Sequence, residues 1–166
     1  LAQIVYNDER VLEKFQLRMW VSVTKDFNVR NLTKSIIESA STHIRNESGT
    51  EYVVDRIDLD PLQVKLQRLV RDQRFLLVLD DVWNVSNKDW DDLKAPLRVG
   101  AQGSKILVTT QSKIVSSTMD SNAIPLNCLS EDDCWSLLER RAFPAGKPYA
   151  CSNLKAIGKE IARKCK

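Results

Sequence analysis

Histidine is almost missing from these 166 residues, and cysteine, glycine and proline are few. The single histidine, His43, lies far in sequence from Cys128, Cys134, Cys151 and Cys165, and no two cysteines form a C-x-x-C pair. This spacing argues against a zinc site. With 43% hydrophobic residues the chain can build an ordinary apolar core, so it needs no disulfide framework. The cysteines are therefore expected as reduced thiols. His43 sits among Ser, Thr and Arg at a helix end and is expected at the surface. No apolar run approaches the roughly 20 residues of a membrane-spanning helix. The first residues, Leu1–Tyr6, carry neither a basic lead nor a cleavage pattern, so no secretory peptide is expected. They also lack an initiator Met, which suggests a fragment. The formal charge is only +3, with acids and bases interleaved, and no basic run points to nucleic acid. Internal repeats and low-complexity tracts are absent.

What is present is an alternation of β-type and helical patterns. Leu1–Asn7 has helical character. Phe15–Val23 alternates apolar and polar residues and is rich in β formers, so it is expected as a strand. Leu32, Ile36, Ile37 and Ala40 fall on one face of a helix from about Arg30 to Ile44. Asn46–Asp55 is polar and contains Gly49, as expected of a loop. Asp60-Pro61 opens a further helix with a stripe of Leu62, Leu66, Leu69 and Val70. Phe75–Leu79 is the next strand, followed by a turn and a short helix from Trp90 to about Leu97. Lys105–Thr110 forms a third strand, Lys113 begins a short helix, and Ala123–Leu126 is expected as a brief strand. Ser130, with Asp133 three residues on, resembles a capping box before a helix whose apolar face is Cys134, Trp135, Leu137, Leu138 and Phe143. Phe143–Tyr149, with two prolines and a glycine, has the composition of a linker. Asn153–Cys165 is a last helix. Strands alternating with helices argue for a parallel α/β sheet with crossover helices. The composition changes near Asn127, so residues 1–127 are expected as an α/β unit and 128–166 as the start of a helical one.

The most informative segment is Phe75-Leu76-Leu77-Val78-Leu79-Asp80-Asp81-Val82-Trp83. Its five leading apolar residues suit a strand buried on both faces. The two carboxylates would then stand at the carboxyl end of that strand, the edge where open α/β sheets bind ligands. An acid there commonly holds Mg²⁺ against nucleotide phosphates. Aspartate is also a turn former and helix cap, and that plainer role stays open for both residues.

Several separated segments, in order, resemble the nucleotide-binding NB-ARC module of plant disease-resistance receptors, the proteins that pair a nucleotide-binding unit with leucine-rich repeats. Leu1–Asp8 is similar to the sequence that follows that family's phosphate loop. Phe15–Val23 followed by Phe27 is similar to its next block, and Phe75–Trp83 to its acidic Walker B block. Gly103–Thr110 resembles the block after that, and Leu129–Leu138 the start of its first helical subdomain. Ile157–Ala162 resembles the helix leading to a Gly-Leu-Pro-Leu block. The likeness covers essentially the whole chain, and Trp83 after the double aspartate resembles the coiled-coil class of these receptors.

The resemblance implies a fold like that of the P-loop NTPases, with ADP or ATP and Mg²⁺ as cofactors. It assigns Mg²⁺ to Asp80, the attacking water to Asp81, and phosphate or water contacts to Thr109 and Thr110. Gln111 occupies the position of an arginine that senses the terminal phosphate. A neutral amide cannot supply that charge. The resemblance further implies a cytoplasmic switch in plant defence, with attachment at the plasma membrane left open. ADP would hold it closed and ATP would favour a signalling state. Its partners would be the nucleotide and the receptor's own coiled-coil and leucine-rich-repeat domains, with oligomerisation on activation also open. At most it implies a slow ATPase in the full receptor.

No G-x-x-x-x-G-K-[ST] phosphate loop occurs in the chain, and no Gly-Leu-Pro-Leu block. The 166 residues are thus expected to be the interval between the two, lacking the central phosphate-loop strand. Alone they are expected to fold poorly, bind nucleotide negligibly and be catalytically inactive. Two alternatives stand beside the switch: an interaction module whose nucleotide site has decayed, which Gln111 favours, and a conventional P-loop ATPase.

Overall fold

A computed structural model describes residues 1–44, 58–119, 122–142 and 152–164, without the side chains of residues 42–44 and 152. The expected Asn46–Asp55 loop, the Phe143–Tyr149 linker, Cys151, Cys165 and the side chain of His43 lie outside the described residues. Cys128 and Cys134 are in no disulfide. The chain divides into two compact units, Leu1–Asn122 and Ala123–Lys166.

The first unit is α/β. Two short helices, α1 (Ala2–Tyr6) and α2 (Glu9–Lys14), lead to strand β1 (Leu17–Ser22). Helices α3 (Val29–Ile44) and α4 (Leu59–Val70) connect it to β2 (Phe75–Asp80). Helix α5 (Asn87–Lys94) and a 3₁₀ turn (Ala95–Val99) connect β2 to β3 (Lys105–Val108), and α6 (Lys113–Thr118) follows. The sheet order is β1-β2-β3 and both pairings are parallel, with Leu17 opposite Phe75 and Leu77 opposite Ile106. This is the expected P-loop NTPase-like architecture.

The core follows from strand alternation. Leu17, Met19 and Val21 of β1, Phe75, Leu77 and Leu79 of β2, and Ile106 and Val108 of β3 share one face by register. Against them pack Leu32, Ile36, Ile37 and Ala40 of α3, Leu62, Leu66 and Val70 of α4, and Trp90 and Leu93 of α5. Crossovers of one hand between strands laid down in sequence place these helices on a single face. The opposite face carries Leu76 and Val78, both buried, so β2 is enclosed on both sides as its unbroken apolar run implies. There the Tyr6 ring meets Trp20 edge-on at 5.3 Å, and the Arg18 guanidinium donates to the Tyr6 carbonyl at 2.9 Å. Burial of the Tyr6 ring raises its phenol pKa, and the Arg18 charge opposes that only in part.

The helix ends explain most boundaries. Asp8 caps α2: its carboxylate accepts from the Arg10 amide at 3.0 Å and from the Arg10 guanidinium at 2.9 Å through both oxygens. The Ser86 hydroxyl caps α5 by accepting from the Asp89 amide. The helix expected from Trp90 therefore starts three residues earlier, at Asn87. Pro96 then fits the following 3₁₀ turn, because it has no N–H to give. The open edge of β1 is partly closed where the Trp20 amide donates to the Ser39 hydroxyl of α3. Among the described residues β3 has β2 as its only strand neighbour, and its Ile106, Leu107 and Val108 stay half-buried.

The second unit holds α7 (Glu131–Ala142) and α8 (Ser152–Lys164). Ser130 caps α7 as expected, accepting from the Asp133 amide at 3.1 Å. Asp133 is too short to reach back to the cap backbone, and its carboxylate instead accepts the Ser130 hydroxyl proton at 2.6 Å. Three acids in the first turn and Arg140 and Arg141 in the last suit the helix dipole. Trp135 of α7 lies against Gly158 of α8 so closely that an added Cβ would sit 2.5 Å from the ring.

Two expectations are corrected. Ala123–Leu126 forms no strand: no ladder partner pairs with it among the described residues, Pro125 has no N–H, and Ile124 and Leu126 stand 82% and 71% exposed. Leu137 is exposed rather than part of the apolar face of α7, because α8 covers only the side with Trp135.

Two measurements check this account. Leu77→Ala, at a fully buried centre of β2, is expected to cost about 2–5 kcal/mol in urea unfolding of the full-length protein. Asp8, held by Arg10, is expected to titrate at about 2 by NMR. Because this pKa lies below the roughly 3.9 of an unfolded aspartate, its contribution is complete above that value and fades as pH falls towards 2.

Candidate functional site at the carboxyl edge of the sheet

The strands end together, with Ser22 closing β1 opposite Asp80 of β2, and Thr109 following Val108 of β3. Five buried residues bring β2 to this edge, where Asp80 is half-buried and the next residue is exposed. A carboxylate could not continue into the core without losing its hydration, so the strand stops where the charge begins.

The Thr109 hydroxyl organises the edge. It donates to Asp80 Oδ1 at 2.6 Å and accepts from the Asp81 amide at 2.8 Å. A hydroxyl-to-carboxylate bond of this length is charge-assisted and worth about 1.5–3 kcal/mol. The backbone of Thr109 continues the ladder irregularly: its N–H donates to the Leu79 carbonyl at 3.0 Å, and its carbonyl accepts from the Val82 amide at 2.9 Å. On the other side, the Val23 amide donates to the Asp80 carbonyl at 2.8 Å. The Thr110 hydroxyl donates to the Val82 carbonyl at 2.6 Å and accepts from the Ser112 amide at 3.0 Å. Gln111 is exposed between this turn and α6.

The structure brings Asp80 and Thr109 into direct contact and leaves Asp81 beside them with its backbone bound and its side chain exposed. Asp81 adopts φ 63, a left-handed conformation that turns the chain out of the strand. Strand alternation therefore stops at Asp80 and does not fix where the Asp81 carboxylate faces. Trp83 is half exposed, whereas Val82 is buried. Sequence reasoning passes over Ser22, whose place at this edge comes only from the β1–β2 register. It also gives no sign of the bond between Asp80 and Thr109, which are 29 residues apart.

Asp80 Oδ2 makes no hydrogen bond among the described residues, so one hard oxygen remains for a cation. Those residues contain no group of three or more acids, histidines or cysteines placed to hold a metal by themselves. Any Mg²⁺ here would have to be held by one carboxylate together with water and substrate phosphate oxygens, a donor set that ion commonly uses.

Fold and edge together define an α/β unit of the P-loop NTPase type, with its acidic strand end at the carboxyl edge of the sheet. The NB-ARC domain family matches residues 1–147, and the chain belongs to that family of nucleotide-binding domains. It is 43% identical over 165 residues to disease resistance protein RGA2 of Solanum bulbocastanum, covering 99% of this chain and 16% of the relative. It is 33% identical to disease resistance RPP13-like protein 4 and 31% identical to disease resistance protein RPP13, both of Arabidopsis thaliana. Each of those matches covers 100% of this chain and 19% of the relative. The chain therefore spans less than a fifth of the length of these curated relatives. No helix among the described residues is long and apolar enough to cross a membrane.

The left-handed turn gives a direct test. Asp81→Gly is expected to keep or raise the melting temperature, and Asp81→Ala to lower stability by about 1 kcal/mol. Calorimetry of the two variants separates the backbone role of this residue from any role of its carboxylate.

Proposed function

We propose that this chain supplies the acidic edge and the beginning of the helical lid of a nucleotide-dependent switch in a plant immune receptor. The observation that carries the reading is the half-buried Asp80 at the end of the enclosed strand β2, with one oxygen held by Thr109 and the other without a hydrogen bond among the described residues. Residues 1–127 form part of the nucleotide-binding subdomain, and 128–166 begin the first helical one. ADP favours a closed arrangement of the receptor's domains, and ATP an open, signalling one. The nucleotide thus biases a two-state arrangement by its unequal affinity for the two. Asp80 binds Mg²⁺, which when present neutralises phosphate charge. Asp81 lies beside the attacking water. Any hydrolysis is slow and resets the switch. The partners are the receptor's own coiled-coil and leucine-rich-repeat domains, with further copies of the receptor on activation, in the cytoplasm.

A second reading, an interaction module with a decayed nucleotide site, is favoured by one observation: Gln111 stands at the edge where an arginine would meet a terminal phosphate, and an amide forms much weaker bonds there.

Mass spectrometry of bound nucleotide decides between the two. The protein tested is the full-length polypeptide that carries this chain. Stoichiometric ADP, and Mg²⁺-dependent ATP retention that falls on the order of 10–100-fold in Asp80→Ala, are expected of the switch. A well-folded but empty protein would establish the interaction module instead, and fast multiple turnover would mark a conventional ATPase.

A further inference from the structure

We propose that Thr109 is a positioning residue for Asp80 and Asp81 and does not itself contact phosphate. The proposal rests on the nucleotide-switch reading for its ligand and on the geometry of the sheet edge for its substance. A hydroxyl has one proton, and that of Thr109 goes to Asp80 Oδ1 at 2.6 Å. A lone pair takes the Asp81 amide at 2.8 Å. A phosphate oxygen can only accept, so Thr109 could donate to it only by releasing Asp80. Thr110 is committed in the same way, giving its proton to the Val82 carbonyl and accepting from the Ser112 amide. The two threonines at the end of β3 are therefore internal fasteners of the edge.

The fastening has a direction. With Oδ1 held by Thr109, the Asp80 carboxylate is oriented so that Oδ2 is left for a cation. The same hydroxyl holds Asp81 where φ is 63, which diverts the chain out of the strand immediately after Asp80. One atom just past β3 thus sets both the aim of the metal-binding carboxylate and the point at which β2 ends. Such second-layer bonds to a metal-binding carboxylate typically matter on the order of 10–100-fold in metal affinity.

The test uses the full-length protein with Thr109→Val, which keeps the shape and removes the hydroxyl, and Thr109→Ser, which restores the hydroxyl. The first readout is the Mg²⁺ concentration that half-saturates ATP retention. It is expected to rise on the order of 10-fold in the valine variant and to return towards the parent value in the serine variant, while ADP retention in EDTA stays unchanged. Equal loss in EDTA would mean that Thr109 touches phosphate and would overturn the proposal. The second readout needs no nucleotide: hydrogen exchange of the peptide containing the Asp81 amide. Exchange is expected to speed about fivefold in Thr109→Val and to be restored by serine. An unchanged exchange rate would overturn the proposal whatever the nucleotide result. If the parent protein binds no nucleotide, the switch reading fails, and the exchange result alone then decides whether Thr109 holds the edge.

Discussion

Everything in the first unit depends on the enclosure of β2. Its five apolar residues are each at most 5% exposed, and helices α3, α4 and α5 reach the core through the face that carries Leu77 and Leu79. Fully burying side chains of this size is worth about 1.5–3 kcal/mol each. Such a strand needs neighbours on both edges, and β1 and β3 provide them in parallel register. Parallel neighbours in turn demand crossover helices, because a tight hairpin cannot return the chain in the same direction. The element order of the unit follows from the character of one six-residue segment.

The same enclosure creates the functional edge. Burial that suits Leu79 is intolerable for a carboxylate one residue later, so Asp80 must lie where the sheet meets solvent. Because the strands are parallel, their carboxyl ends come together there, and Ser22 and Thr109 arrive with Asp80. The cross-strand hydroxyl bond then gives this edge a defined carboxylate orientation that a solvent-exposed aspartate would otherwise lack. Fold stability and site geometry therefore share one cause, and a disturbance at the end of β3 reaches Asp80 without touching it in sequence.

The second unit is bound less tightly within itself. Trp135 packs against Gly158, and Leu137, Leu154, Ile157 and Ile161 stay about half exposed. Two helices cannot cover both of their apolar stripes. This also explains why the apolar pattern of α7 overstated its buried face: periodicity shows which residues are apolar, but burial requires a neighbour.

The sequence by itself determined the helices with clear stripes, the strands β1 and β2, the Ser130 cap and the family, because each rests on local spacing or on short blocks kept in order. Asp80 was legible for the same reason, as a charge directly after an apolar run. Local pattern failed at Ala123–Leu126, where a strand-like composition found no ladder, and at Asp8, whose cap begins α2 between two stretches without strong periodicity. Only the tertiary structure decided that Thr109 meets Asp80, that Asp81 turns left-handed, and that Ser22 shares their edge. Those facts depend on register and on hydrogen bonds between residues 28 or 29 apart or on separate strands. No pattern along the chain encodes which hydroxyl a carboxylate will face once parallel strands are laid side by side.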